Sequence, residues 1–259
     1  MPERCIELKG TQVFDFYLIG STRILSLWET FKTHPTVRLL EDSEAVKNAI
    51  RQNMGKLQTV EGAQRPYIPK ASGVIKGLLG IHIRRGDFRG ELGKDNGHCF
   101  NLGRWGSTFS GWNQLSQLHD KYDSPSREGV EGGQYSPEIK EYYLKRCLPT
   151  VDQVISRIRE IQKGNQAHLS HIFIANNAED EYLSDLRKKL VVNGWEANKI
   201  ITSQDLELNW QATSVNNVVD MAILTRAEVF IGNGWSSMTS NIVMRRLTTD
   251  QTPETTRLW

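Results

Sequence analysis

The sequence predicts an α/β domain built on a parallel sheet. Three observations predict it. From about Gly77 onward, short apolar runs alternate with amphipathic stretches, the pattern of strands joined by crossover helices. The runs are short and mostly apolar, and the first ends in charged residues, as in strands buried on both faces. Charged, glycine-bearing or serine-bearing residues follow the runs directly, and open parallel sheets hold their ligands outside the carboxyl ends of their strands.

In order along the chain, Thr11–Ile19 reads as a strand-like run, and a helical stretch follows Pro35, with Val37, Leu40, Ala45, Val46 and Ile50 spaced for one face. Glu61–Gly73 carries Pro66, Pro69 and two glycines and reads as a linker. Gly77–Ile83 is a buried parallel strand. Residues 88–136 are polar, glycine-rich and too long for an ordinary connection, so they form a functional loop or a disordered insertion. Trp105 and Trp112 would pack this loop down or touch a ligand. Ile139–Ile161 is an amphipathic helix that Pro149 breaks or kinks. His171–Asn176 is a second strand. Glu179–Val192 is a helix with acidic residues first and Arg187, Lys188 and Lys189 late, which suits the helix dipole. Lys199–Thr202 is a third strand, Val215–Arg226 a helix, Ala227–Gly232 a fourth strand and Ser236–Arg246 a last helix.

Composition bounds the function. Among 259 residues, 38% are hydrophobic and 24% charged, enough for a packed core. A net charge of +2 leaves no polybasic surface for nucleic acid, so any anion site is local. Three cysteines, Cys5, Cys99 and Cys147, make no zinc spacing. Unpaired thiols are the leading reading, with one disulfide involving Cys99 as the alternative. The amino terminus has no hydrophobic signal region, no run of about 18 apolar residues occurs, and there is no Asn-x-Ser/Thr sequon.

The ligand rule for parallel sheets selects His82–Asp87, Asn176–Glu179, Thr202–Asp205 and Gly232–Ser237. In the stretch His82, Ile83, Arg84, Arg85, Gly86, Asp87, alternate side chains share a face, so His82 and Arg84 point together and Arg85 away. An Arg fork matches phosphate oxygens. Gly86 lets the chain turn, and Asp87 can accept donors and hold the loop. On spacing alone a plain strand end with a salt bridge is the leading reading of these residues. Gly232 to Thr239 runs from a strand through a glycine turn to Ser236 and Ser237 at a helix start, an anion site or an ordinary N-cap. Asp220 lies on the apolar face of Val218–Leu224 and needs a partner, a base or ribose edge or a nearby Arg. There is no Walker loop, no Gly-x-Gly-x-x-Gly after a strand, no Asp-x-Asp, no Gly-x-Ser-x-Gly and no His-Glu-x-x-His.

Taken as an ordered set, these residues resemble the protein O-fucosyltransferase family, its fungal members in particular. His82, Arg84, Gly86 and Asp87 are similar to its diphosphate motif. Ile172–Asn177 is similar to its second strand. Asp220, followed by Ser236, Ser237 and Met238, is similar to its third motif in order and spacing. The resemblance covers about residues 75–247. It implies a GT-B glycosyltransferase fold of two facing Rossmann-like domains, with GDP-fucose as donor and no cofactor or metal. It implies inverting, metal-independent transfer of fucose to a protein or glycan acceptor. By position, Arg84 would be the catalytic residue, stabilising charge on the β-phosphate. His82, Ile83, Arg84, Asp87, Asp220, Ser236, Ser237 and Met238 would bind the nucleotide. Met238 stands where the family has an aromatic residue. The glycine-rich sugar-nucleotide loop of the family's N-terminal domain, with its acidic or amide residue near the acceptor, has no match in residues 1–70, so these read as a remnant of that domain and a linker. Residues 71–259 read as the C-terminal GDP-sugar-binding domain with an insertion at 88–136. A nucleotide-sugar-binding module without activity is the alternative. A secretory-pathway location follows from the family, not from a segment of this sequence.

Overall fold

The computed structural model describes residues 22–58, 73–164, 168–249 and 251–259. The expected strand Thr11–Ile19, Cys5 and nearly all of the expected linker Glu61–Gly73 lie outside the described residues.

After a 3₁₀ turn at Thr22–Leu27 come three helices: α1 (Trp28–Thr33), α2 (Pro35–Arg38) and α3 (Glu44–Leu57). The one helical stretch expected after Pro35 is thus two. Ser43 accepts from the Val46 amide and starts α3 afresh, because the cap satisfies amides that the first turn leaves open. Then follow β1 (Ile75–Ile83), α4 (Gly86–Arg89), α5 (His98–Trp105), α6 (Pro137–Cys147), α7 (Val151–Gly164), β2 (His171–Asn176) and α8 (Asp180–Val192). The chain closes with β3 (Ile200–Thr202), α9 (Trp210–Thr213), α10 (Asn216–Arg226), β4 (Ala227–Gly232), α11 (Ser237–Thr248) and β5 (Thr256–Leu258). The helix expected over Ile139–Ile161 is α6 plus α7, broken around Pro149, which has no N–H to carry a helix through.

The five strands form one sheet in the order β3-β2-β1-β4-β5, and every pairing is parallel. The chain winds outward from β1 in both directions, so the strand order reverses between β1 and β4. That switch point is where doubly wound sheets open a crevice. Alternation along the strands builds two cores. Leu79, Ile81 and Ile83 of β1 join Ile172, Ile174, Val229 and Ile231 beneath α7 and α8. On the other face, Phe173, Ala175 and Phe230 pack with Val46, Ile50 and Met54 of α3 and with α10 and Ile242 of α11. The amino-terminal helix α3 is therefore built into the same core as the sheet.

The segment 88–136 is an ordered insertion, not a disordered one. Phe88, Leu102 and Phe109 form a third cluster with Tyr143 and Trp235. Trp112 is buried against Trp28 and Phe31, with ring centroids 5.0 and 5.2 Å away. Trp105 stays 69% exposed. The expectation of three free thiols is corrected by a Cys99–Cys147 disulfide, with Cα atoms 5.8 Å apart. Packing of α5 on α6 brings the two cysteines together across a separation of 48 residues, a juxtaposition that spacing alone does not reveal.

A cross-link closing a loop of that length stabilises by about 4 kcal/mol in the chain-entropy account. Replacing both cysteines by alanine is expected to lower stability by about 2–4 kcal/mol in urea unfolding. Wild type under reductant should then unfold with the variant. Unchanged midpoints in both would show that the bond does not support the fold.

Candidate functional site

The carboxyl ends of β1 and β2 meet α10 and α11 in a cleft of about 290 Å³. It is lined by His82 and Arg84 at the end of β1, by Asn176 and Asn177 at the end of β2, by Asn217, Val218, Asp220 and Met221 on α10, and by Ser237, Met238 and Asn241 on α11. The strand pleat sends His82 to this side while Ile83 enters the opposite core. Ile83 therefore offers the cleft no side chain, and its carbonyl is taken by the Asn177 amide at 3.4 Å.

His82 is 3% exposed and its Nδ1 lies 2.9 Å from the Thr239 hydroxyl. Burial, with the Arg84 charge second, pulls its pKa down to about 4. The ring is neutral near pH 7 and acts as a hydrogen-bonding group, not a cation. Arg84 is the cation of the cleft wall. Its Nε and one terminal nitrogen donate to the two Asp87 oxygens at 2.9 and 3.0 Å, and its guanidinium lies 5.3 Å from the Phe88 centroid. The hydrogen bond from Arg84 holds the Asp87 carboxyl below its ordinary range. Asp87 does not line the cleft itself and acts on it through Arg84 and Asn177. Arg85 turns away as expected, donating to Glu179 at 3.1 Å and stacking 4.2 Å from Tyr182.

Asn177 fastens this loop. Its side-chain oxygen accepts from the Arg85 amide at 2.7 Å, its side-chain nitrogen donates to Asp87 at 3.3 Å, and its carbonyl accepts from the Gly86 amide at 3.3 Å. A Cβ on Gly86 would sit 2.8 Å from the Asn177 Nδ2. The glycine expected to permit a sharp turn is needed here for that close approach, since its φ is not positive.

On the far wall, Asp220 is 7% exposed. Its Oδ2 accepts from the Ser203 hydroxyl at 2.7 Å, and its buried Oδ1 has no partner. Burial raises its pKa to about 6, against the Ser203 bond, which lowers it. An unpaired, buried carboxylate oxygen is costly, and this one belongs to a residue lining a cleft.

The two serines separate. Ser237 lines the cleft. Ser236 is 2% exposed and makes no side-chain cap bond, so the expectation of two hydroxyls at one anion site narrows to one. The turn before them is gripped by the insertion. Ser110 donates to the Gly234 carbonyl through its amide and to the Trp235 carbonyl through its hydroxyl, both at 2.8 Å. The Asn113 side-chain Nδ2 donates to the Gly234 carbonyl at 2.9 Å. Asn233 donates to the Cys147 carbonyl at 2.9 Å.

The structure thus gathers His82, Arg84, Asp220, Ser237 and Met238 at one cleft, and leaves Ile83, Ser236 and Asp87 behind its walls. Residues not singled out beforehand also belong to it. Asn177 and Ser203 lay in the post-strand segments that the sheet rule selects. Thr239 closed the turn-to-helix segment Gly232–Thr239, without its pairing to His82; Asn217 and Asn241 had no such signal, since their neighbours are set by helix packing.

A sequence model of one family, O-FucT, described as GDP-fucose protein O-fucosyltransferase, matches residues 23–249. No curated protein matches the sequence. Solved structures with similarity include POFUT1 in complex with GDP-fucose, at 14% identity and a TM-score of 0.47 over 83% of this chain and 46% of that one. Others are POFUT1 in complex with GDP (14%, 0.44, 83% and 47%) and the POFUT1 apo form (13%, 0.39, 72% and 42%). The chain spans less than half the length of these structures.

Asp220 sets a stability expectation with a definite sign. Its pKa rises from an ordinary 3.8 to about 6 on folding, so the folded state binds the proton more tightly. Its destabilising cost is absent below about pH 4, grows between about 4 and 6, and is full above, roughly 2–3 kcal/mol. Asp220→Asn is therefore expected to raise the thermal midpoint at pH 7 and leave it unchanged at pH 4. Equal midpoints for the two proteins at pH 7 would contradict this assignment.

Proposed function

The chain belongs to the GDP-fucose protein O-fucosyltransferase family, and from that premise we propose that its cleft holds GDP-fucose and that the protein transfers the fucose to a protein or glycan hydroxyl.

The observation that carries this reading is the pairing of Asp220 and Arg84 across one cleft. The free Asp220 oxygen asks for an N–H donor. Among the common bases, guanine alone puts two N–H groups side by side on its pairing edge, while uracil flanks its one N–H with carbonyls that a carboxylate repels. Val218, Met221 and Met238 supply apolar and thioether surface for the faces of a flat ring. Arg84 offers a fork to a diphosphate, and the free first-turn amides of α11 with the Ser237 hydroxyl offer further donors. A volume near 290 Å³ is close to the lower end of small-molecule sites, roughly 300–1,000 Å³.

The reaction we assign is a direct displacement with inversion. The acceptor oxygen bonds to the anomeric carbon, the bond from that carbon to the β-phosphate oxygen breaks, and GDP leaves with the electron pair. The acceptor's proton passes to a base on the acceptor side. Arg84, held in place by Asp87, stabilises charge as it grows on the leaving diphosphate, so protein charge can do the work of a metal. His82, neutral and fixed by Thr239, would place the diphosphate or ribose. The division into an N-terminal remnant and a GDP-sugar-binding domain belongs to the same proposal. So does a secretory-pathway location, which the buried Cys99–Cys147 bond supports. Among the described residues no helix is long and apolar enough to cross a membrane.

Calorimetric titration tests the reading. GDP should bind, and Arg84→Ala should weaken it about ten- to hundred-fold, the worth of charge-assisted hydrogen bonds. Because Asp220 offers both oxygens as acceptors only when ionised, affinity for GDP-fucose should be level above about pH 6 and fall below it, and Asp220→Asn should abolish that dependence. GDP-fucose is the right probe, since its β-phosphate is esterified and does not titrate there. Absence of GDP binding at millimolar concentration would overturn the proposal. Binding without fucose release or transfer would make the chain a donor-binding module.

A further inference from the structure

We infer that Asn217 is the residue that reads the guanine carbonyl, and so sets the preference of the cleft for guanine over adenine; this rests on the nucleotide reading above.

Four asparagines line the cleft: Asn176, Asn177, Asn217 and Asn241. Two are spent on the protein. Asn176 accepts from the Ala178 amide at 3.3 Å and donates to the Ile174 carbonyl at 3.2 Å. Asn177 clasps the loop after β1. The Asn217 side chain donates to no described residue; only its backbone amide is engaged, with Asn216 at 2.7 Å. Asn241 lies on α11 one turn beyond Ser237, on the wall assigned to the diphosphate. Asn217 lies on α10 three residues before Asp220, so the two share a helical face with Cβ atoms about 5–6 Å apart.

That spacing matches the edge of one base. Asp220 offers an acceptor where guanine has its two N–H groups. The neighbouring atom on the same edge is the carbonyl oxygen, which needs a donor. An amide supplies one, and a carboxylate cannot. Adenine carries an amino group at that place, so an amide oxygen would have to turn toward it while Asp220 faced a ring nitrogen lone pair. One unpaired buried acceptor is enough to reject the wrong partner. Asn217 is exposed, so it can be changed without disturbing the core.

The test compares GDP, IDP and ADP on wild type, Asn217→Ala, Asn217→Asp and Asp220→Asn. IDP keeps the carbonyl and lacks the 2-amino group. Asn217→Ala should weaken GDP and IDP by the same factor, about five-fold for one neutral hydrogen bond, and should not weaken ADP. Asn217→Asp should weaken GDP further, because its lone pairs would face the carbonyl oxygen. Asp220→Asn should shrink the GDP-to-IDP ratio. Unchanged GDP affinity in Asn217→Ala would overturn the inference and leave the site reading intact. So would retained affinity in Asn217→Asp, which would place residue 217 on a ribose hydroxyl, and so would equal losses for GDP and ADP. Wild type that binds no GDP, or binds ADP equally well, would remove the site reading and this inference together.

Discussion

The turn Gly232–Ser237 is the constraint on which the rest of the site depends. It ends β4, starts α11, and so decides where Ser237, Met238 and Thr239 stand. Asn233 meets the Trp235 and Ser236 amides within the turn, and the insertion supplies partners for its carbonyls. Ser110 and Asn113 donate to the Gly234 carbonyl, Ser110 also to the Trp235 carbonyl, the Ser107 carbonyl accepts from the Trp235 indole, and Phe109 meets Trp235 edge-on at 4.8 Å. A Cβ on Gly234 would lie 2.5 Å from the Phe109 ring, so the glycine is fixed by the insertion that presses on it. The insertion is therefore a buttress for the cleft floor, and Cys99–Cys147 pins that buttress to α6, whose last carbonyl Asn233 also holds.

The loop after β1 is organised by a second economy of partners. Arg84 and Arg85 are adjacent, yet the pleat sends one into the cleft and the other to Glu179 and Tyr182. Asn177 ties both ends of that divergence. The ion pair between Arg84 and Asp87 is half exposed and contributes little to stability. Its effect is to hold a long, flexible cation in one orientation, which lowers the entropy lost when an anion arrives. Opposite it, Asp220 does the reverse: it keeps a carboxylate where folding would prefer a neutral group. The cleft therefore holds a braced cation at one end and an under-satisfied acid at the other.

Much of this was legible in the sequence. His171–Asn176 and Ala227–Gly232 are short runs with apolar centres, Ile172–Ala175 and Val229–Ile231, and both strands fall on those residues. The post-strand rule found His82, Arg84 and Ser237, and helical periodicity isolated Asp220. What stayed hidden depends on contacts between distant segments. β5 is only three residues and pairs with one strand, so it leaves no periodic signal. The choice between Ser236 and Ser237 turns on one residue of helix register, finer than capping patterns resolve. The role of Gly86 was read as turn chemistry because Asn177, its actual constraint, is ninety-one positions later. The disulfide needed the packing of α5 on α6 before two of the three cysteines could be paired.

The cleft is assembled from stretches that lie far apart in the chain: the end of β1, the end of β2, and the facing turns of α10 and α11. None of them can offer a binding surface once the sheet opens. Any molecule that bridges these walls binds the folded chain and not the unfolded one, so its binding energy is added to the cohesion of the domain. Resistance to heat or to a protease then becomes a readout of occupancy that needs neither an acceptor nor turnover.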